Sequence, residues 1–245
     1  MTHSLITRTT APAAAVALGL LGFVAAPTPS SAAPATSAPA ARSAERAAAP
    51  TGPVKRSRID IDGDGRADTT TFRKVGFTRG LHRFLLETRT ATGHRARMSV
   101  TLPDEGTNLT TDYVWVGAAG VDGVRGGEVV LDLWTVGDFP DVRVYTFRGG
   151  RFVNAPAPGS RRSSWMVANH GMLVAGYTFS TVRGTRQVVA HELNGVRYGG
   201  PYRGTHTTYR WGRTGWVRVA TRPSGLVPDA TAQRHYSGLF GLRWR

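Results

Sequence analysis

From Ile59 onward, apolar and polar residues alternate in short runs rich in β-branched and aromatic side chains, and Gly, Pro and Asn separate the runs. A period of two is what a half-buried strand requires, because successive side chains point to opposite faces of a sheet. The pattern predicts strands over 69–75, 81–90, 96–102, 113–118, 128–136, 141–148, 165–169, 172–180, 187–193, 205–211 and 216–221. Turns are expected at Ala91-Thr92-Gly93, Arg148-Gly149-Gly150, Asn169-His170-Gly171, Arg183-Gly184-Thr185, Asn194-Gly195 and Gly212-Arg213-Thr214-Gly215. Residues 229–236 alone read as a helix, with Asp229 as N-cap after Pro228 and Gly238 beyond the end. The expected fold is all-β: antiparallel β-repeats in a short propeller-like or sandwich arrangement, with one short C-terminal helix at most.

The first residues follow a different pattern. Arg8 precedes an apolar, Ala-rich run over 11–26, and small residues follow. This predicts a secretory signal over 1–33, with Ser31-Ala32-Ala33 as the cleavage site and Val24-Ala25-Ala26 as its rival. Residues 34–56 are Ala, Pro and Ser with scattered Arg, too poor in apolar bulk to offset their ordering entropy, and predict a disordered linker. The β-repeat domain is then expected over 57–245, in units of about 59–118, 119–171 and 172–245. No later apolar stretch has membrane-spanning length, so an exported chain is expected, and an exported chain without cysteine points to a secreted, extracellular bacterial protein.

The chain has no cysteine, which excludes disulfides, thiolate nucleophiles and Cys-ligated zinc. It carries 31 Lys and Arg against 16 Asp and Glu, a formal charge of +15, and only Lys55 and Lys74 are lysines. Such charge attracts polyanions and speaks to association, not to fold. An anionic cell-surface or wall polymer is the expected partner, with no specific nucleic acid.

Against this basic background, Asp60-Ile61-Asp62-Gly63-Asp64-Gly65-Arg66-Ala67-Asp68 places four carboxylates in nine residues. Ca²⁺ takes six to eight oxygens, and Asp60, Asp62, Asp64 and Asp68 at positions 1, 3, 5 and 9, with the Arg66 carbonyl at position 7, supply a matching set. Gly65 falls where such a loop turns sharply. Position 12 is Thr71, in a β-branched run, where an EF-hand needs a Glu and a helix. A weaker copy lies 60 residues on: Asp122 matches Asp62, Gly123 matches Gly63 and Glu128 matches Asp68, while Gly120 and Val124 replace Asp60 and Asp64. The second copy is expected to keep the turn and hold no cation.

The 60–68 run, followed at once by Thr69-Thr70-Thr71-Phe72, resembles the calcium loop of FG-GAP/VCBS repeats, found in integrin-type propeller blades and in many secreted bacterial proteins. The resemblance implies calcium binding through Asp60, Asp62, Asp64, the Arg66 carbonyl and Asp68, a β-propeller-like fold, and an extracellular binding or structural role without enzymatic activity.

Other chemistry is sparse. There is no Gly-x-Ser-x-Gly elbow and no P-loop. His191-Glu192-Leu193-Asn194-Gly195 begins like a zinc-protease helix but lacks the second His and lies in a strand pattern. Glu128, Asp132, Asp138 and Asp141 are the carboxylates that would serve a secreted, glycosidase-like hydrolase, the alternative function. The segment 202–218 interleaves aromatics with Arg, and a ligand surface is sought there first, at Arg203, Tyr209, Arg210, Trp211, Arg213, Trp216 and Arg218. Strand alternation puts Tyr209 and Trp211 on one face and Arg210 on the other.

Overall fold

The computed structural model describes residues 52–106, 108–133, 141–160 and 163–245. The expected signal at 1–33, most of the expected linker, strand residues 134–136 and Asp138 lie outside them. The described residues form an all-β fold of three antiparallel sheets. Sheet 1 is a meander of β1 (Lys55–Ile59), β2 (Asp68–Thr78), β3 (Leu81–Arg89) and β4 (Arg95–Pro103). Sheet 2 runs β5 (Trp115–Ala119), β6 (Glu128–Asp132), β7 (Asp141–Arg148) and β8 (Arg151–Ala155), with β9 (Ser164–Met166) beside β8 on the same edge of β7. Sheet 3 runs β10 (Ala168–His170), β11 (Leu173–Val182), β12 (Thr185–Gly195), β13 (Tyr202–Trp211) and β14 (Trp216–Pro223). A two-residue β15 (Leu239–Phe240) returns to pair in parallel with β11.

The sheets stack face to face with sheet 2 in the middle. Its alternating side chains serve two cores. Val129, Leu131, Tyr145 and Phe147 pack with Phe72, Phe84 and Leu86 of sheet 1. Val130, Val142 and Val144 pack with Tyr177, Phe179 and Val188 of sheet 3. This explains the unbroken apolar run Val129-Val130-Leu131: a strand covered on both faces loses the polar half of its alternation. The far face of sheet 3 is covered by the second of two helices, α1 (Thr111–Val114) and α2 (Asp229–Tyr236), through Ala232 and Tyr236 on Val174 and Leu193.

Several local expectations need correction. Helix α1 occupies the start of the expected strand 113–118, so the chain has a second helix beyond the C-terminal one. Its four residues are held by tertiary partners, which outweigh β propensity: the Thr111 hydroxyl donates to the Pro53 carbonyl at 2.8 Å, and Asp112 pairs with Lys55. Strand β1 begins at Lys55, inside the stretch read as linker, because an edge strand with only Ser57 buried needs little apolar sequence. Strand β8 has no counterpart among the expected strands. The expected strand 165–169 is two strands: β9 pairs with β7 and β10 with β11, so the chain crosses from sheet 2 to sheet 3 at Val167. Asn194-Gly195 closes β12 instead of turning, since both residues are paired with β13. Helix α2 has the expected span, but Pro228 is its N-cap and Asp229 its first residue, where the Asp229 carboxylate accepts from the Tyr202 hydroxyl at 3.1 Å.

Under α2, His191 and His206 face each other with their Nδ1 atoms 2.7 Å apart, and His191 Nε2 lies 2.9 Å from the Thr178 hydroxyl. The Tyr236 ring covers both imidazoles. Burial, then His206 and Arg222, pull the His191 imidazole down to about 4. A pKa lowered on folding means that the unfolded chain takes up the proton first as pH falls, so stability is full above about 6.5 and declines toward pH 4. Melting temperatures should therefore fall between pH 7 and pH 4.5, and His191→Gln should flatten that part of the profile. An equal slope in the variant would assign the effect to other groups.

Candidate metal centre

The two acidic loops occupy the same place in successive sheets. Loop 60–68 joins β1 to β2 with Ile59 opposite Asp68, and loop 120–128 joins β5 to β6 with Ala119 opposite Glu128. The 60-residue offset survives in the hydrogen bonds. Asp68 Oδ2 accepts from the N–H of Ile61 at 2.7 Å and of Asp62 at 3.4 Å. Glu128 Oε2 accepts from Val121 at 2.6 Å and Asp122 at 3.3 Å. The loops also touch: a Cβ on Gly63, whose φ is +81°, would fall 2.7 Å from the Arg125 carbonyl oxygen, and one on Gly126 3.0 Å from that of Ile61. Glycine is required at both close approaches.

In the first loop, Asp60 accepts from the N–H of Gly63 at 2.7 Å and of Gly65 at 2.9 Å. Asp62 accepts from Asp64 N–H at 3.2 Å, and Asp68 Oδ1 accepts from Ala91 at 2.7 Å. Asp60, Asp62 and Asp68 each offer an oxygen, all within 4.8 Å of one another. Oxygens that ligate one Ca²⁺ at about 2.4 Å lie no more than about 4.8 Å apart, so the group fits such an ion. A carboxylate has about four lone-pair sites, and Asp60 accepts two N–H bonds, Asp62 one and Asp68 three, so each keeps some ligand capacity, Asp68 the least. Asp64 and Arg66 sit at the exposed tip, outside that group of three, with Arg66 N–H donating to Asp64 at 2.7 Å. Among the described residues no Lys, Arg or His forms an ion pair with Asp60, Asp62, Asp64 or Asp68. Desolvation, then the Asp68, Asp64 and Asp60 charges, raise the Asp62 carboxyl above its ordinary value, against the Asp64 N–H.

The second loop has its own cation. Arg148, at the end of β7, places Nη2 3.1 Å from Asp122 Oδ2 and 3.7 Å from Glu128 Oε1. The Glu128 side chain is fully buried. Burial, then the Asp122 charge, drive the Glu128 carboxyl upward, and Arg148 opposes the rise. Arg148 is 26 residues from Asp122, and only the β6–β7 pairing brings it to the loop, so the motif itself gives no sign of it.

Of the other carboxylates, Asp132 and Asp141 lie on paired strands one register step apart, and alternation turns them to opposite faces. Glu128 and Asp132 stand four residues apart on one strand, about 13 Å at the rise of a β-strand, beyond the spacing of paired glycosidase carboxylates. Burial alone would raise the Asp141 carboxyl, but the Arg143 guanidinium at 2.7 Å, with a hydrogen bond from Ser164, more than offsets it and holds the group below its ordinary value. In the 202–218 hairpin, Tyr209, Trp211 and Trp216 are half-buried toward sheet 2. Trp211 lies against Gly123 of the second loop and meets Trp216 edge-on at 5.0 Å. Register puts Arg218 opposite Tyr209, and Arg203 shares that face by alternation. Arg210 points to the other face and Arg213 sits in the turn, so the four exposed arginines form no single patch.

In comparisons with known proteins, no family model, no curated protein and no solved structure matches this chain. Among the described residues no helix is long and apolar enough to cross a membrane.

Proposed function

We propose that this is an exported, non-enzymatic β-repeat protein whose first repeat loop holds Ca²⁺ through Asp60, Asp62 and Asp68, with Asp64 and the Arg66 carbonyl joining from the tip. One contrast carries the reading. Two loops of the same build sit side by side; one has an arginine inserted between its acids, and the other has more acids and no paired cation among the described residues. Clustered carboxylates repel one another unless a cation is present, and an all-oxygen donor set suits a hard divalent ion. The ion would brace the β1–β2 turn against the second loop. Calorimetric titration with Ca²⁺ should find one site, lost in Asp60→Asn/Asp62→Asn. Absence of binding by the unaltered chain would refute the assignment.

On the same reading the partner is an anionic polymer of the cell surface or wall. The formal charge of +15 and the exposure of Arg203, Arg210, Arg213 and Arg218 support it. Changing these four arginines to Ser should lower the salt needed to elute the protein from a cation exchanger and from wall preparations. Unchanged elution would show that they take no part.

A further inference from the structure

Sheets 2 and 3 pack tightly at one end of their interface and part at the other. Going along sheet 3 from Trp211 toward Pro223, the face turned to sheet 2 changes from Phe179, Val188 and Tyr209 to Tyr177, Ala190 and Thr207, and then to Ala175, Glu192 and Thr205. Beyond the buried Tyr177 and Ala175, the half-buried Ala190 is too small to fill the gap. A groove of about 350 Å³ opens over it, bounded on the sheet 2 side by Met166 and the 158–160 turn. That turn closes onto Tyr209: a Cβ on Gly159 would fall 2.1 Å from its hydroxyl. The volume lies in the range of small-molecule sites.

The lining has a distinct chemistry. It contains no Lys or Arg, in a chain with 31 of them, so the groove is not part of the polyanion-attracting surface. Its one carboxylate, Glu192, is exposed and forms no ion pair among the described residues. Thr205 adds a hydroxyl, while that of Thr207 pairs with Thr221 at 3.2 Å and that of Ser164 bonds Asp141, and Tyr177 and Tyr209 add phenol groups. The Tyr177 hydroxyl accepts the Met166 N–H at 3.2 Å and keeps its own proton as a donor.

We infer that this groove between sheets 2 and 3 binds a neutral sugar, with Ala190 as its floor, Tyr209 against the C–H face of the ring, and Glu192 and the Thr205 hydroxyl on its OH groups. A pyranose presents both surfaces, an apolar C–H face and a polar rim. An anion would meet Glu192 with no Lys or Arg in the lining to offset it, and the His191 imidazole there is turned to His206 on the α2 face of the sheet. A simple amine would use Glu192 and leave the hydroxyls idle. Glu192, as an acceptor only, suits a pair of sugar O–H donors, and the hydroxyls can donate or accept.

The test uses the full chain with trisaccharides of β-1,4-linked glucose, β-1,4-linked N-acetylglucosamine and α-linked mannose, and putrescine as the cationic comparison. Ligand-observed NMR and calorimetry read the binding. At least one trisaccharide should bind. Ala190→Leu, which fills the floor, should abolish the binding. Glu192→Gln, which keeps the shape and replaces an ionised acceptor, should weaken it about tenfold. Melting curves check that both variants fold, and Glu192→Gln carries the test alone if Ala190→Leu does not. No binding by any trisaccharide would overturn the inference. So would binding that both folded variants retain in full, or Glu192-dependent binding of putrescine alone.

Discussion

Chelating the calcium-loaded protein should lower its melting temperature by about 8–16 °C, the shift expected when an ion at about a thousandfold excess over its Kd is removed from a domain of this size. Such an excess contributes about 4 kcal/mol by mass action. A sharper result comes from Asp62→Asn. In Ca²⁺ the variant should melt below the unaltered chain, because a ligand is weakened. In chelator it should melt above it, because the neutral side chain relieves the crowding that Asp68, Asp64 and Asp60 impose on Asp62. This crossing of sign separates a metal site from an acidic turn, which would show the second effect and not the first. Superimposable melts with and without chelator in the unaltered protein would end the calcium reading.

Arg148→Met should cost about 3 kcal/mol in urea denaturation, at the low end for breaking a buried pair because the arginine is itself one-third exposed. The cost comes from what is left behind, since Asp122 and Glu128 would face each other at 6% and 0% side-chain exposure with their closest cation gone. Adding Glu128→Gln should restore most of the loss, because the amide oxygen still accepts from Val121 and Asp122 without a charge to neutralise. If the single variant were as stable as the unaltered chain, Arg148 would be an ordinary surface pair. The contrast between the two loops, on which the metal assignment rests, would then weaken with it.

The local grammar of the chain was largely legible. Strands β3, β4, β7, β11 and β12 follow the alternation of their residues, and α2 follows its flanking Pro228 and Gly238. The 60-residue offset between the loops proved to be the register of two hairpins, because a turn of fixed length with an acid at its end imposes the same hydrogen bonds wherever it occurs. Such features depend on residues near in sequence, and so the sequence carries them openly.

Tertiary structure decided the rest. Alternation shows that Val129 and Val130 point opposite ways but not that both ways lead into a core; the stacking of sheet 2 between sheets 1 and 3 settles it. The crossover at Val167 is one residue long and leaves no mark on the pattern. Helix α1 exists because of Pro53 and Lys55, more than fifty residues upstream. The same holds for chemistry. The sequence by itself determined that the first loop has four acids and that the second loop keeps Asp122 and Glu128. Only the β6–β7 pairing brought Arg148 between the second loop's carboxylates, and only the parting of two sheets over Ala190 opened a groove beside Glu192. A side chain's type is written in the chain, but its partner is chosen by whichever strand folds beside it, and that choice is made over distances that local pattern does not span.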